Sequence, residues 1–229
     1  MRYFTVVLLV LSGIFSAQSQ TYEIGGLLGG SNYIGDVGRT NYIAPKNFAF
    51  GGIFKWNRSA RHAFRGSVMI AQISGDDADS NQSRRKQRGL SFENTVSEIS
   101  IGLEYTFVEF NVHSGKPVST PYLYTGLTYF WYKALYRVGD EIRDYDGASA
   151  PAIPMVVGYK TTIGTKMVLG FEIGARYAFT DDLDGSNPVK GLADAEEFKF
   201  GNTNSDDWYV FTGVTLTFSF GRKPCYCNF

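Results

Sequence analysis

The sequence predicts an all-β protein, an eight-stranded antiparallel up-and-down transmembrane β-barrel of the outer-membrane type with a filled polar interior. Three observations predict it. Long stretches alternate apolar and polar residues with a period of two, as strands with two unlike faces do. The segments between them alternate between long polar runs and tight turns, the asymmetry of outer-membrane barrels. The chain also opens on a secretory leader. Aromatic residues make up 16% of the chain, with Tyr, Phe and Gly abundant, a composition suited to strands rather than to a helical domain.

The leader is "MRYFTVVLLVLSGIFSAQSQ". One basic residue precedes an apolar run too short to span a bilayer as a helix, and small and polar residues follow it. Residues 1–19 read as a signal peptide cleaved after Ala17-Gln18-Ser19, leaving Gln20 first. An uncleaved anchor is the weaker alternative, because the run ends without a stop-transfer pattern. Residues 20–220 then form one domain, and residues 221–229 a tail.

Period-two reading places strands at about 20–31, 47–57, 61–74, 91–108, 119–132, 153–163, 166–179 and 207–220. In "SEISIGLEYTF" the residues Ile99, Ile101, Leu103, Tyr105 and Phe107 share one face, and Glu98, Ser100, Gly102, Glu104 and Thr106 share the other. "KMVLGFEIGARYAF" sets Met167, Leu169, Phe171, Ile173, Ala175, Tyr177 and Phe179 against Glu172 and Arg176. "HAFRGSVMI" sets Phe64, Val68 and Ile70 against Arg65 and Ser67, and "WYVFTGVTLTFSF" puts Trp208, Val210, Val214, Leu216, Phe218 and Phe220 together. Long polar connections are expected at 32–46, 75–90, 133–152 and 180–206. Tight turns are expected near Asn57-Arg58-Ser59-Ala60 and Ile163-Gly164-Thr165, with an intermediate connection after strand four. With eight strands, the long loops gather at one end and both termini at the other.

The apolar, aromatic face is therefore expected to look outward at lipid. A soluble lipocalin-type barrel would instead turn its apolar face inward onto a ligand, but here the inward set of Arg65, Glu98, Glu104, Glu172 and Arg176 makes a poor greasy pocket. Tyr22, Trp56, Tyr105, Tyr129, Trp131, Tyr177 and Trp208 fall near strand ends, where an aromatic girdle belongs.

Little in the chain points to chemistry. The five inward charges read as a structural ionic network filling a lumen too narrow to be a pore; a proton path through Glu98, Glu104 and Glu172 has no other support. The two histidines, His62 and His113, lie at the turn end, so no Ser-His-Asp set assembles on the outer side. "GDDAD" and "DDLDG" resemble fragments of calcium loops but lack the far acidic ligand, and read as solvated acidic loops. No cofactor, metal or small-molecule substrate is called for, and a net charge of zero gives no electrostatic case for nucleic acid. The two cysteines, Cys225 and Cys227, sit in the tail. Either they close a small strained ring, or at least one of them pairs with another chain.

Several stretches together resemble the PorG-type outer-membrane barrels of the type IX secretion system: "GGSNYIGDVG", "RGLSFENTVSEISIGLEYTF", "TPYLYTGLTYF" and "SDDWYVFTGVTLTFSFGRKPCYC". The Asn32–Asp36 and Thr120–Tyr122 pieces, with the paired terminal cysteines, carry most of the specificity. The resemblance covers nearly the whole mature chain. It implies a non-enzymatic component of a machine that exports folded cargo across the outer membrane of Bacteroidetes-type bacteria and in some of them supports gliding motility. It also implies contact with a periplasmic PorK/PorN-like ring as well as with outer-membrane lipids, and makes Cys225 and Cys227 the candidate contact residues. A general surface barrel acting through its long loops, as an adhesin or stability protein, is the alternative.

Overall fold

Eight strands follow one another in the computed structural model, which describes residues 21–112, 116–202 and 204–221. They are β1 (Thr21–Ile34), β2 (Asn47–Asn57), β3 (His62–Asp76), β4 (Ser91–Thr106), β5 (Ser119–Val138), β6 (Glu141–Ile163), β7 (Met167–Ala178) and β8 (Trp208–Gly221). Each pairs antiparallel with the next. β8 returns to β1, from Thr21 opposite Gly221 to Ile34 opposite Trp208, and closes the ring. Within the belt, closure leaves no free sheet edge, so the ladder of backbone N–H and C=O groups runs paired around the ring, as hydrocarbon surroundings demand. The seams are tight. A Cβ on Gly102 would lie 2.1 Å from the Thr125 carbonyl oxygen, and one on Gly126 2.1 Å from that of Ile101, so these facing positions admit only glycine.

The alternation resolves inside from outside. Along β4, Ile99, Ile101 and Leu103 are exposed, whereas Glu98, Ser100 and Glu104 are buried. β3 repeats this with Phe64, Val68 and Ile70 outside and Arg65 and Ser67 inside, and β7 with Leu169 and Phe171 outside and Glu172 and Arg176 inside. The protein is an apolar belt wrapped around a polar centre. Rings border the belt at both rims. At the turn end Tyr22 stacks between Phe54 and Phe220, and Trp56 meets Phe64. At the long-loop end Tyr129 meets Trp131, and Tyr177 meets Phe179 and Trp208.

One connection differs from the sequence reading. Residues 133–152 are a continuation of the sheet rather than a polar loop: β5 and β6 run on as a two-stranded ribbon to a tight turn at Gly139 and Asp140, with a register shift at Ala134/Leu135. Beyond the belt an outward residue no longer needs to be apolar. The ladder therefore continues through Lys133, Arg137, Glu141 and Asp144 while its hydrophobic signature stops. β1 likewise reaches Ile34 and β3 Asp76, past the expected ends.

Candidate functional site

The lumen is packed rather than open. On β3, Arg65 directs Nη1 and Nη2 at the two carboxylate oxygens of Glu172 on β7, at 2.8 and 2.9 Å. This bidentate geometry is the strongest form of such a pair. The Tyr122 hydroxyl donates to the same carboxylate at 2.7 Å. Glu104 on β4 lies 2.7 Å from the Lys55 ammonium and 2.6 Å from that of Lys160, with Arg65 at 3.8 Å. Nearer the loops, Arg176 donates to Glu98 at 3.0 Å while the Tyr209 hydroxyl donates to its other oxygen at 2.6 Å. Glu23, near the turn end of β1, accepts from Asn57 at 2.8 Å and Thr217 at 2.7 Å.

The five charges singled out in the sequence all lie inside the barrel. Arg65 and Glu172 are joined directly, as are Arg176 and Glu98, and Arg65 links Glu104 to the first pair. Sequence reasoning missed Lys55, Lys160 and Glu23, each of which is buried. The signal was present: each sits between outward residues, as Lys55 does between Phe54 and Trp56. With them the lumen is neutral. Glu23, Glu98, Glu104 and Glu172 balance Lys55, Arg65, Lys160 and Arg176, the condition under which buried charges persist.

Both mouths are shut. At the turn end the connection after β4 folds back, so that Phe110 and Val112 pack on Val168 and the Lys160 ammonium lies 4.5 Å from the Phe110 ring centroid. At the other end, residues of three long connections share one apolar core with the upper lumen, in which Val37, Leu90 and Leu183 join Phe92, Phe130 and Phe211.

Aspartates pin this cap. Asp184 accepts from the Asp36, Val37 and Ser186 amides at 3.1, 2.9 and 2.9 Å. Asp77 accepts from the Gly38 and Leu90 amides at 2.9 and 3.1 Å and from Arg88 at 2.7 Å. Asp207 accepts from the Leu183 amide at 3.0 Å and from the Tyr33 hydroxyl. The expectation of solvated acidic loops is thus corrected. Asp77 of "GDDAD", and Asp182 and Asp184 of "DDLDG", are fully buried. Loops folded over a closed mouth bury backbone N–H groups, and carboxylates supply the acceptors.

Electrostatics separates these acids. Burial raises the Asp77 carboxyl, but Arg88 and the backbone donors outweigh it and hold it below its usual range. Burial and the neighbouring Asp184 push Asp181 and Asp182 up to about 8. Both carboxylate oxygens of Asp182, and one of Asp181, are buried without a hydrogen-bond partner. Among the described residues no three His, Cys, Asp or Glu side chains converge in a metal-binding group. His62 is exposed, with Nδ1 3.2 Å from the Ser59 hydroxyl. His113, Cys225, Cys227 and residues 1–20 lie outside the described residues.

An apolar belt between two aromatic girdles, closed around a charge-neutral filled lumen, defines a small transmembrane β-barrel. Across residues 1–229 the chain matches the family described as Domain of unknown function (DUF6089), and it belongs to that family. No curated protein matches it. Among solved structures it is similar to the N-terminal β-barrel domain of Pseudomonas aeruginosa OprF, at 11% identity and a TM-score of 0.45 over 89% of this chain and 98% of that one. Neisserial surface protein A is similar at 10% identity and a TM-score of 0.46, over 88% and 97%. The attachment invasion locus protein Ail of Yersinia pestis is similar at 9% and 0.42, over 89% and 99%. The fold assignment itself rests on the strand pairing.

Proposed function

We propose that the protein is a non-enzymatic integral outer-membrane barrel, with its turn end and both termini in the periplasm, which serves type IX secretion by tethering a PorK/PorN-like periplasmic ring to the membrane. The observation that carries the non-catalytic, non-conducting part is the sealed interior. A neutral ionic lumen lies between Phe110 at one mouth and the aspartate-pinned cap at the other. Such a barrel transmits neither solute nor substrate, so its working parts are its surfaces. Among the described residues His62 has the Ser59 hydroxyl and the Tyr105 ring beside it, which make no Ser-His-Asp set.

The type IX assignment is supported by the sequence resemblance, above all Asn32–Asp36, Thr120–Tyr122 and the Cys225/Cys227 tail. Gliding motility, where the host has it, follows from the same assignment. A second reading, a surface barrel acting through its long loops, is favoured by one feature. The end opposite the termini is a built structure, with a pinned cap and a projecting ribbon that carries exposed Asp140 and Glu141 at its tip.

Replacing both cysteines by Ser separates the two readings. The first expects a folded, inserted barrel that recovers less of the periplasmic ring on affinity capture and secretes less cargo, together with a reducible higher-mass species in the wild type. Full ring recovery and full secretion in the double variant would remove the tail as the tether. Normal cargo secretion after deletion of the whole chain would leave the surface-barrel reading alone.

A further inference from the structure

The connection after β1 doubles back over the outside of the barrel. Positions in phase with Tyr22, Ile24 and Leu28 face outward, so Gly30, Asn32 and Ile34 belong to the outer wall. Yet Asn32 is only 6% exposed. Its side-chain amide donates to the Asn41 carbonyl at 3.0 Å, and its oxygen accepts from the Ala44 amide at 3.2 Å. Gly30 is covered as well, since a Cβ there would lie 2.6 Å from Cβ of Pro45. Val210, opposite Asn32 in the ladder, is in phase with Val214, but is 4% exposed where Val214 is 45%. Residues 41–45 form a strap laid on the lipid-facing wall, and its polar anchor, Asn32, is fully occupied by strap backbone.

The strap is itself apolar on its free side. Tyr42 is 79% and Ile43 56% exposed. Between them and the wall lies a groove of about 400 Å³ lined by Tyr42, Ile43, Ile173, Ala175, Trp208 and Val210. Ile173 and Ala175 continue the outward row of Leu169 and Phe171, so the groove opens directly from the belt. The rest of the belt offers a lipid chain one wall. Here the strap adds a second, and the small side chain of Ala175 leaves room between them. Contact on two sides multiplies the dispersion and burial that a methylene chain gains.

We propose that this groove seats one acyl chain of a membrane lipid at the long-loop rim, a specific lipid site set apart from the freely exchanging lipids of the belt. The inference rests on the barrel being inserted in a bilayer. A protein segment is the competing occupant, but continuity with the lipid-exposed row and a lining without charge favour a chain of the surrounding solvent, which in a bilayer is hydrocarbon.

The experiment uses the full-length protein extracted from membranes and delipidated in detergent, with retained lipid counted by native mass spectrometry. One lipid per barrel is expected in the wild type. Ala175→Phe, which fills the groove from the outer face, and Tyr42→Gly/Ile43→Gly, which removes its second wall, are each expected to lower occupancy at least tenfold while heat-modifiable folding is kept. Unchanged occupancy in both variants overturns the proposal. A photoreactive residue in place of Tyr42 adds a second readout: a lipid adduct supports the assignment, and a discrete protein adduct overturns it. In vesicles containing brominated phospholipid, quenching of Trp131, read in a Trp56→Phe/Trp208→Phe background, reports insertion independently. Loss of that signal would sink the membrane reading itself, whereas retained quenching with unchanged occupancy sinks only the groove.

Discussion

Asp182→Asn is expected to leave stability unchanged in acid and to raise it progressively as the pH climbs. Asp182 is fully buried, with neither carboxylate oxygen hydrogen-bonded. The groups that face it are Asp181 and Asp184 from its own segment, Tyr132 from β5 and Tyr145 from β6. Elsewhere in the cap Arg88 is paired with Asp77 and Arg85 with Asp36. Burial, then repulsion by Asp184 and Asp181, lifts its pKa from 3.8 to about 8. The folded state therefore prefers the protonated form. Its contribution is fully present below about pH 4 and is lost as the pH rises through about 8, at roughly 1.4 kcal/mol per pH unit. The ceiling is roughly 6 kcal/mol, reduced wherever the cap relaxes or Asp181 takes up the proton instead. Asn has nearly the same shape and no charge to lose. Urea unfolding of both proteins in detergent micelles from pH 4 to 9 measures the difference. The variant should match the wild type at pH 4 and exceed it by at least about 2 kcal/mol at pH 9, a conservative share of that ceiling. A difference that stays flat across the range, or a variant less stable at pH 9, would refute the reasoning.

In the lumen, Arg65→Met is expected to cost about 3–5 kcal/mol, because it strands the Glu172 carboxylate, and adding Glu172→Met should restore most of the loss. The double variant keeps the lumen neutral, and heat-modifiable mobility with urea midpoints reports both outcomes. On the outer face, Ile101→Arg or Phe171→Arg places a cation against lipid at a cost of about 2–4 kcal/mol. Reduced recovery of folded barrel in outer-membrane fractions is expected, and normal recovery for both would contradict the assigned face.

Strand number, pairing order and face were legible because a belt in contact with hydrocarbon constrains every second residue over the full height of the barrel. Ile99, Ile101 and Leu103, or Leu169 and Phe171, follow that constraint without interruption, so the face bearing Glu98, Glu104, Glu172, Arg65 and Arg176 could be read as lumenal. Legibility ended where the constraint ended. Past the rim, Lys133–Val138 and Glu141–Asp146 keep the ladder hydrogen bonds and pack Ala134 and Leu135 inward, but their outer face meets water instead of lipid, and its charges imitate a loop. The strap at residues 41–45 hid for the opposite reason. It lies outside the sheet, and only the polar Asn32 in an outward position hinted that something covers the wall there.

The same limit accounts for the cap. Composition marks Asp77, Asp182 and Asp184 as solvated, because a carboxylate in a polar stretch is usually hydrated. What buries them is a tertiary demand: closing the mouth with Val37, Leu90 and Leu183 takes their neighbouring amides out of water, and each amide then needs an acceptor. Asp77, Asp184 and Asp207 meet that demand, whereas Asp182 receives no donor in return. The lumen shows the balanced form of the problem, with cations from β2, β3, β6 and β7 reaching carboxylates of β4 and β7. In the cap Asp77 has the Arg88 guanidinium, whereas Asp181 and Asp182 are relieved by protons. Stability changes between pH 4 and 9 should therefore be concentrated in the long connections and leave the strand ladder unaltered.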